Sequence, residues 1–143
     1  MTEQELRQKV VDAALTWVGT KYHHMGRVKG VGVDCATLLC EVYEEAGIIQ
    51  HIDLEYYPED WHLHRDAERY MDVLLQYCDK TEKPQMGDIA MFKYGRSASH
   101  GSIIVAWPDE VIHSYIGLGC VRQNPQAMMD RLVGFYTFKE WNK

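Results

Sequence analysis

Residues 34–39 read Asp34-Cys35-Ala36-Thr37-Leu38-Leu39, and they begin an apolar run at helical spacing that continues to Ala46. Aspartate is a favourable N-cap residue, so Cys35 is predicted to lie in the first turn of a helix. Gly47 is placed where glycine commonly follows a helix C-terminus. Unpartnered N–H groups and the helix dipole favour an anion at a helix start. This position is typical of a reactive cysteine, not of an inert core cysteine.

The loop before the cysteine, residues 19–33, is basic in an otherwise acidic chain. It contains Lys21, Arg27, Lys29 and two histidines, but no acidic residue. Its positive charge could favour the thiolate and bind substrate carboxylates, and Arg27 is the best single candidate because its planar fork can hold a carboxylate through two hydrogen bonds. A solvated basic loop without such a role remains the alternative. The loop's glycine spacing matches neither common phosphate-binding motif.

Two histidines lie at predicted strand positions downstream of the cysteine. His100 follows a run of small residues, and His113 follows a turn signal at Pro108-Asp109. Alternate residues of a strand share a face, so both imidazoles can face the same side of a sheet. A tight turn at 108–109 would set His113 opposite Ile104, and bringing the rings together then requires a bulge, strong twist or another turn. The residues alone do not decide between two alternatives, a catalytic Cys35–His100 dyad or two unrelated histidines of the core.

The other histidines do not form a metal-binding pattern. His23 and His24 are adjacent, whereas His62 and His64 are two apart and do not share a helix face. No His-Glu-x-x-His motif occurs. His51, His62 and His64 are interpreted as solvated or capping residues. No metal and no organic cofactor is predicted.

The chain outside the cysteine stretch divides into helices first and strands afterwards. Thr2 and Glu5 predict a capping box for a first helix that ends at Gly19, and a third helix is predicted from near Asp60 to Cys78. Strands are predicted at 87–94, 102–107, 111–116 and 132–138. This order predicts an α+β fold, with N-terminal helices packed on a C-terminal antiparallel sheet.

Composition narrows the class of protein. The chain has 143 residues, 46% of them hydrophobic, which suits a single domain over 1–143. The net charge of −6 does not favour nucleic-acid binding, and no apolar window is long enough for a membrane span. Four cysteines without a Cys-x-x-Cys pair, and a polar N-terminus, predict a reduced protein made in the cytosol without a signal peptide.

Taken in order, five motifs resemble the NlpC-type family of papain-like cell-wall cysteine peptidases. The match extends over nearly the whole chain, and residues 22–35 look most like the phage-tail and gene-transfer-agent branch. The motifs are Gly19-Thr20-Lys21-Tyr22, Gly32-Val33-Asp34-Cys35, Gly87-Asp88-Ile89-Ala90-Met91-Phe92, His100-Gly101-Ser102-Ile103-Ile104 and Val111-Ile112-His113-Ser114.

The resemblance implies roles for individual residues. Cys35 would be the nucleophile, His100 the general base and His113 the polar group that orients His100. Tyr22 would help to line the substrate and oxyanion site, and Asp34 corresponds to the family's aspartate before the cysteine. The chain departs from the family after the cysteine, where the usual serine and glycine are Ala36 and Thr37. The departure predicts that a polar contact to the amino end of the substrate is missing.

The resemblance also implies a function. Family members cleave amide bonds in peptidoglycan stem peptides, commonly between γ-linked D-glutamate and a diamino acid. The expected partners are a peptidoglycan peptide and the tail proteins of a phage or phage-like particle, into which the protein would be incorporated. Two alternatives remain: acyl transfer or hydrolysis on another amide, and a non-enzymatic tail-assembly module of the same fold.

Overall fold

The computed structural model describes residues 1–57, 66–94 and 97–142. The described helices are α1 (Glu3–Leu15), α2 (Cys35–Glu45) and α3 (Asp66–Tyr77), with 3₁₀ helices at Pro125–Arg131 and Lys139–Asn142. The predicted helix start at Asp60 lies outside the described residues, as do His62 and His64. The strands are β1 (Arg27–Val28), β2 (Gly32–Val33), β3 (Cys78–Thr81), β4 (Ile89–Tyr94), β5 (Ser97–Ala106), β6 (Glu110–Tyr115), β7 (Gly119–Gln123) and β8 (Leu132–Phe138).

Helix α1 begins with the predicted capping box. The Thr2 hydroxyl accepts from the Glu5 N–H at 3.1 Å, and the Glu5 carboxylate accepts from the Thr2 N–H at 3.3 Å. Arg7 is buried and donates to the Asp88 carboxylate at 2.8 Å, which ties α1 to the segment leading into β4. The helix ends at Leu15, four residues before the predicted Gly19, because the chain turns at Thr16 to Val18.

Strands β3 to β8 form one antiparallel sheet in the order β3-β8-β4-β5-β6-β7. Helices α1 and α2 cover one face through apolar residues that include Val10, Leu38 and Val42, packed with Ile89, Met91, Ile103 and Ile112 of the sheet. A smaller cluster contains Ala90, Phe92, Ile104, Val111 and Met128. The architecture is α+β with helices on an antiparallel sheet, as the order of sequence patterns predicted.

Three local predictions differ from the structure. Residues 27–33 form the short β1–β2 hairpin and not a plain loop. Helix α3 ends at Tyr77, and Cys78 begins β3, because its backbone pairs with Phe138 of β8. Strand β7 was not predicted, since Gly119–Gln123 mixes a glycine, an arginine and a glutamine with only two apolar residues.

Candidate active site

Cys35 lies in the first turn of α2, as predicted, and its side chain is buried at 6% exposure. Burial raises the pKa of the Cys35 thiol, and the negative charge of Asp34 raises it further. Hydrogen bonds from the Cys35 and Ala36 N–H groups lower the pKa, but by less. The prediction of a thiolate stabilised by the helix start is therefore wrong for this structure. The free energy cost of burying the charge exceeds what the helix N–H groups return.

Two cations of the basic loop, Arg27 and Lys29, pair with acidic side chains of α2. The Arg27 Nε donates to Glu41 at 2.8 Å and its Nη1 donates to the Ile52 carbonyl oxygen at 2.6 Å. Lys29 pairs with Glu45 at 2.8 Å. Glu41 and Glu45 lie four apart on α2, so they present one acidic edge to the loop. Arg27 thus has a structural task, and its binding of a substrate carboxylate stays a prediction.

The Asp34 carboxylate is 1% exposed and is surrounded by internal donors. One oxygen accepts from the N–H groups of Ala36 and Thr37, both at 2.9 Å. The other accepts from the Met25 N–H at 2.8 Å and from the Tyr57 hydroxyl. Thr37 completes the cap, because its hydroxyl accepts from the Asp34 N–H and donates to the Gly26 carbonyl oxygen at 2.6 Å. Asp34 therefore fixes the start of α2 against the preceding loop.

Tyr57 covers Cys35. The two side chains form a small buried cluster with Met25, Leu54 and Tyr70 around them. The ring nitrogen His24 Nε2 donates to the Tyr57 carbonyl oxygen at 2.6 Å, which holds the segment in place. Burial and the charge of Asp34 raise the pKa of the Tyr57 hydroxyl, so it remains a hydrogen-bond donor at neutral pH.

Tyr22 lies close to this cluster through its backbone and its ring. Residue 22 forms an isolated bridge with Val33, two residues before Cys35. The ionised form of Tyr22 would further raise the pKa of Tyr57, which places the two phenols near each other. The position of Tyr22 fits the wall of a site around Cys35, and a role in binding an oxyanion stays a prediction.

The two histidines singled out from the sequence are in direct contact. His100 Nε2 and His113 Nδ1 are 2.7 Å apart, and their rings meet edge to face with centroids 4.9 Å apart. His113 Nε2 lies 2.7 Å from the side-chain oxygen of Gln123. Both rings are buried, at 4% and 0% exposure. Burial lowers the pKa of each histidine, and the neighbouring His113 lowers that of His100 further, so both rings are neutral near pH 7.

Diagonal pairing across three strands brings these side chains together. Ile103 pairs with Ile112, so His113 falls beside Ser102, and His100 is its diagonal neighbour. His113 pairs with Val121 of β7, and Gln123 is the diagonal neighbour on that side. The predicted pairing of His113 with Ile104 is wrong by two residues. The β5–β6 pairing contains a register shift between Ile104 and Ala106. An irregularity of this kind was expected if the two imidazoles were to meet.

The strands that carry the two histidines contact the start of α2 and its neighbours through the residues next to them, whose side chains alternate in direction with the imidazoles. Position 101, next to His100, faces α2: a Cβ atom there would come within 2.6 Å of both Leu39 Cδ1 and the Tyr70 hydroxyl. Ser114, next to His113, donates to the Val33 carbonyl oxygen at 2.8 Å. A register shift in the β4–β5 pairing ends beside His100, and bulges re-aim neighbouring side chains. That the His100 ring points towards Cys35 is a proposal.

A cavity of about 310 Å³ adjoins α2 on the side of α3. Its wall is mainly apolar and includes Ala36, Leu39, Tyr57, Tyr70 and Leu74. Cys35, His100 and His113 are not among the residues that line it. The cavity therefore borders the cysteine helix without containing the candidate nucleophile.

Within 1–57, 66–94 and 97–142, no group of three or more His, Cys, Asp or Glu side chains is arranged to hold a metal ion. None of the helices in the same ranges has the length and apolar character needed to cross a bilayer.

Sequence reasoning missed two residues of the site. Gln123 was overlooked together with β7, although the glycines at 117 and 119, both with positive φ, signal a tight hairpin after β6. Tyr57 lies in a stretch after Gly47 whose sequence contains no periodic signal that would have predicted its contact with Cys35.

Comparison with known proteins shows the fold. No protein-family model matches the sequence, and no curated protein is significantly similar to it. A lipoprotein-like NLP/p60-family protein from Staphylococcus aureus has a TM-score of 0.64 and 22% identity, over 94% of this chain and 41% of that chain. The NlpC/p60 domain of the peptidoglycan hydrolase SagA has a TM-score of 0.60 and 16% identity, over 92% of this chain and 97% of that domain.

NlpC1 from Trichomonas vaginalis has a TM-score of 0.64 and 17% identity, over 92% of this chain and 44% of that chain. This chain thus spans less than half the length of two of these three solved proteins. The papain-like fold of NlpC/p60 domains, predicted from the ordered motifs, is confirmed.

Proposed function

We propose that this protein is a thiol hydrolase that cleaves amide bonds in peptidoglycan stem peptides, between γ-linked D-glutamate and a diamino acid. One observation carries the proposal: an NlpC/p60-like fold holds both a hydrogen-bonded, buried His100–His113 pair and a cysteine at the start of α2. SagA, one of the solved proteins with this fold, is itself described as a peptidoglycan hydrolase.

The chemistry starts from two neutral groups. Burial raises the pKa of Cys35 and lowers that of His100, so the resting pair is a thiol and an imidazole, not a preformed ion pair. As Sγ attacks the scissile carbonyl carbon, His100 takes the thiol proton. The C–N bond then breaks, and His100 passes this proton to the leaving amine. A water molecule gives a proton to His100 and attacks the thioester, which releases the acid and restores the thiol.

The oxyanion would be stabilised at the start of α2. The Cys35 N–H lies there, and Tyr22 flanks the same segment through its pairing with Val33. A preorganised donor of this kind typically contributes about 2.7–4 kcal/mol to transition-state stabilisation. Substrate must first displace Tyr57 from Cys35, since the thiol is closed in the described conformation.

The place of action belongs to the proposal as well. The resemblance of residues 22–35 to the phage-tail and gene-transfer-agent branch supports a protein made in the bacterial cytoplasm and incorporated into a tail. There it would open the cell wall as the particle penetrates, with tail proteins as partners.

The experiment is digestion of defined muropeptides, with the products weighed by mass spectrometry. Wild type should release one new amine and one new acid at the D-glutamyl–diamino acid bond, whereas Cys35→Ala should release neither. Cys40→Ala, on the same helix, is the matched control and should keep activity. Cleavage by Cys35→Ala at the wild-type rate would refute the proposal.

A non-enzymatic tail-assembly module is the second candidate, and one observation favours it. Cys35 is buried and packs against Tyr57, whose hydroxyl and carbonyl groups are both held by hydrogen bonds. A binding module of this fold would keep that closed state and leave muropeptides intact. Gel filtration and pulldown with tail proteins, together with the digestion above, separate the two candidates.

A further inference from the structure

Three strands carry a continuous chain of hydrogen-bonding side chains: His100 on β5, His113 on β6 and Gln123 on β7. Both links measure 2.7 Å, and each joins diagonal neighbours of an antiparallel pair. A neutral imidazole has one N–H donor and one lone-pair acceptor. The direction of donation along the chain therefore fixes which nitrogen of His100 carries the proton.

The geometry allows two directions, and they have opposite consequences for His100. If the Gln123 amide oxygen accepts from His113 Nε2, then His113 Nδ1 accepts from His100 Nε2, and His100 Nδ1 keeps its lone pair. If the Gln123 amide nitrogen donates instead, every proton shifts, and His100 Nδ1 carries a hydrogen. Only the first arrangement leaves His100 able to take a proton at Nδ1.

We propose that Gln123 is a positioning residue that sets both histidine tautomers through its amide oxygen, and thereby makes His100 Nδ1 the basic nitrogen. The Gln123 oxygen faces His113 Nε2 at 2.7 Å, as the first direction requires. The contribution to catalysis rests on the proposed hydrolase function, whereas the tautomers are a property of the resting protein.

The chemical environment suits such a relay. His100 and His113 are buried, so bulk water has little access to the nitrogens that join the two rings. The Tyr115 ring packs against both imidazoles, with centroids at 5.6 Å and 5.8 Å, which limits rotation of the rings. A neutral amide suits the end of this chain because a carboxylate would favour a cationic His113.

The test is ¹⁵N NMR of histidine-labelled protein, because protonated and bare imidazole nitrogens have distinct shifts. Wild type should show a proton on Nε2 and a bare Nδ1 in both His100 and His113. Gln123→Leu should move His113 partly or wholly to the Nδ1–H tautomer. Gln126→Leu, at an exposed glutamine three residues further on, is the matched control and should leave both spectra unchanged.

Kinetics on muropeptides give the second readout. Gln123→Leu should lower kcat roughly 10- to 100-fold with KM nearly unchanged, as for other losses of a partner behind a functional histidine. Gln123→Glu keeps an acceptor and should recover turnover in part, while raising the pKa of His113 in the pH profile. An Nδ1–H proton on either wild-type histidine, or unchanged tautomers in Gln123→Leu, would overturn the proposal.

The two proposals fail in different ways. If the tautomers depend on Gln123 but no wall peptide is cleaved, the relay stands and the hydrolase function does not. If peptides are cleaved at Cys35 while the tautomers ignore Gln123, the function stands and the relay does not.

Discussion

His100 and His113 are both buried and in contact, but they have different tasks in the proposed mechanism. In the proposed mechanism His100 exchanges a proton with the thiol, so its ring would be required in every turnover. His113 holds the His100 ring at the correct angle and tautomer without touching the substrate. The hydrogen bond between the two rings therefore joins the proposed base, His100, to the residue that orients it, His113.

Substitution should separate these tasks. His100→Ala should lower kcat/KM by roughly 10²- to 10⁴-fold, the usual contribution of a general base, and should slow alkylation of Cys35. His113→Ala should be milder, and His113→Asn or His113→Gln should keep more activity than His113→Ala. Steady-state kinetics and iodoacetamide labelling measure both effects. Equal loss for all three substitutions at position 113 would argue against an orienting role.

Tyr57 should govern access to the thiol. Removing its side chain in Tyr57→Ala should accelerate alkylation of Cys35 at least about tenfold, since both the ring that packs against Cys35 and the hydrogen bond to Asp34 are lost. Tyr57→Phe keeps the ring over Cys35 and loses only the hydrogen bond to Asp34, so its rise should be smaller. Peptide mass mapping after timed labelling gives the rates.

Tyr56→Ala is the matched control for this effect. Tyr56 adjoins Tyr57 and is 75% exposed, so its removal should leave the alkylation rate of Cys35 unchanged. An equal acceleration in both alanine variants would mean that the whole segment is loosened. Faster labelling of Cys40, Cys78 or Cys120 than of Cys35 in Tyr57→Ala would contradict the assignment of the nucleophile.

At the scale of elements, the start of α2 is more than a local cap. Asp34 holds the first turn, the 25–26 loop and Tyr57 at once. Thr2 at the start of α1 makes the same kind of cap but is exposed, and its side chain hydrogen-bonds with Glu5 of its own helix. Loss of Asp34 would therefore leave buried donors without an acceptor, whereas loss of Thr2 would not.

The two caps provide a matched pair of variants. Thr2→Ala should lower the free energy of unfolding by about 1 kcal/mol, the typical cost of an exposed cap. Asp34→Ala should cost about 3 kcal/mol or more, because the Met25 N–H and the Tyr57 hydroxyl also lose their acceptor. Urea denaturation measures both. Equal losses would show that Asp34 acts only as a cap.

Elements with regular signals were predictable from the sequence, and those determined by tertiary contacts were not. The capping box at Thr2 and the apolar period after Cys35 are local patterns, so α1 and α2 followed from them. Cys78 continued a helical period, but pairing with Phe138 places it in a strand. The register of His113 depends on a shift near Ala106 that no single residue signals.

The same distinction between local patterns and tertiary contacts separates the site residues that the sequence predicted from those it did not. The sequence predicted that His100 and His113 can face the same side of the sheet, because the alternation of side chains along a strand is a local property. The pairing of Arg27 with Glu41 was not, since it depends on how the loop folds back against α2. The burial of Cys35 likewise involves residues distant in the chain, among them Tyr57, 22 positions away, and this burial reverses the expected shift of the thiol pKa.

For the whole molecule, buried titratable groups set the dependence of stability on pH. The folded pKa values of His100 and His113 lie below the unfolded value of about 6.5, so the unfolded chain binds more protons in acid. Their contribution to stability is complete above that pH and is lost as the pH falls towards the folded values. The slope is at most about 1.4 kcal/mol per pH unit for each histidine.

The cysteines act in the opposite direction at high pH. Burial raises the pKa of all four thiols, to about 11 for Cys40 and about 12 for Cys120. The unfolded chain therefore releases protons first above its thiol pKa of about 8.5, and stability falls as the pH rises through that region. Stability should be greatest between about pH 7 and 8.

Denaturation at several pH values tests this profile. His100→Gln should flatten the acid limb, because one titrating group with a lowered pKa is gone. His51→Gln is the control: His51 is exposed, and hydrogen bonds to Glu44 and Asp53 raise its pKa, so its loss should not flatten that limb. An acid limb of unchanged slope in His100→Gln would show that His100 is not buried as a neutral group.

The central claim is that Cys35 forms a covalent acyl intermediate with a wall peptide, and acid quenching followed by peptide mass mapping tests it most directly. The protein is mixed with a defined muropeptide, quenched within a few turnovers and digested. The account predicts a thioester adduct on the peptide containing Cys35, with the mass of the D-glutamyl half of the substrate, that accumulates in His100→Gln less than in wild type. Peptide cleavage without any adduct on Cys35, at a rate that Cys35→Ala does not reduce, would contradict it.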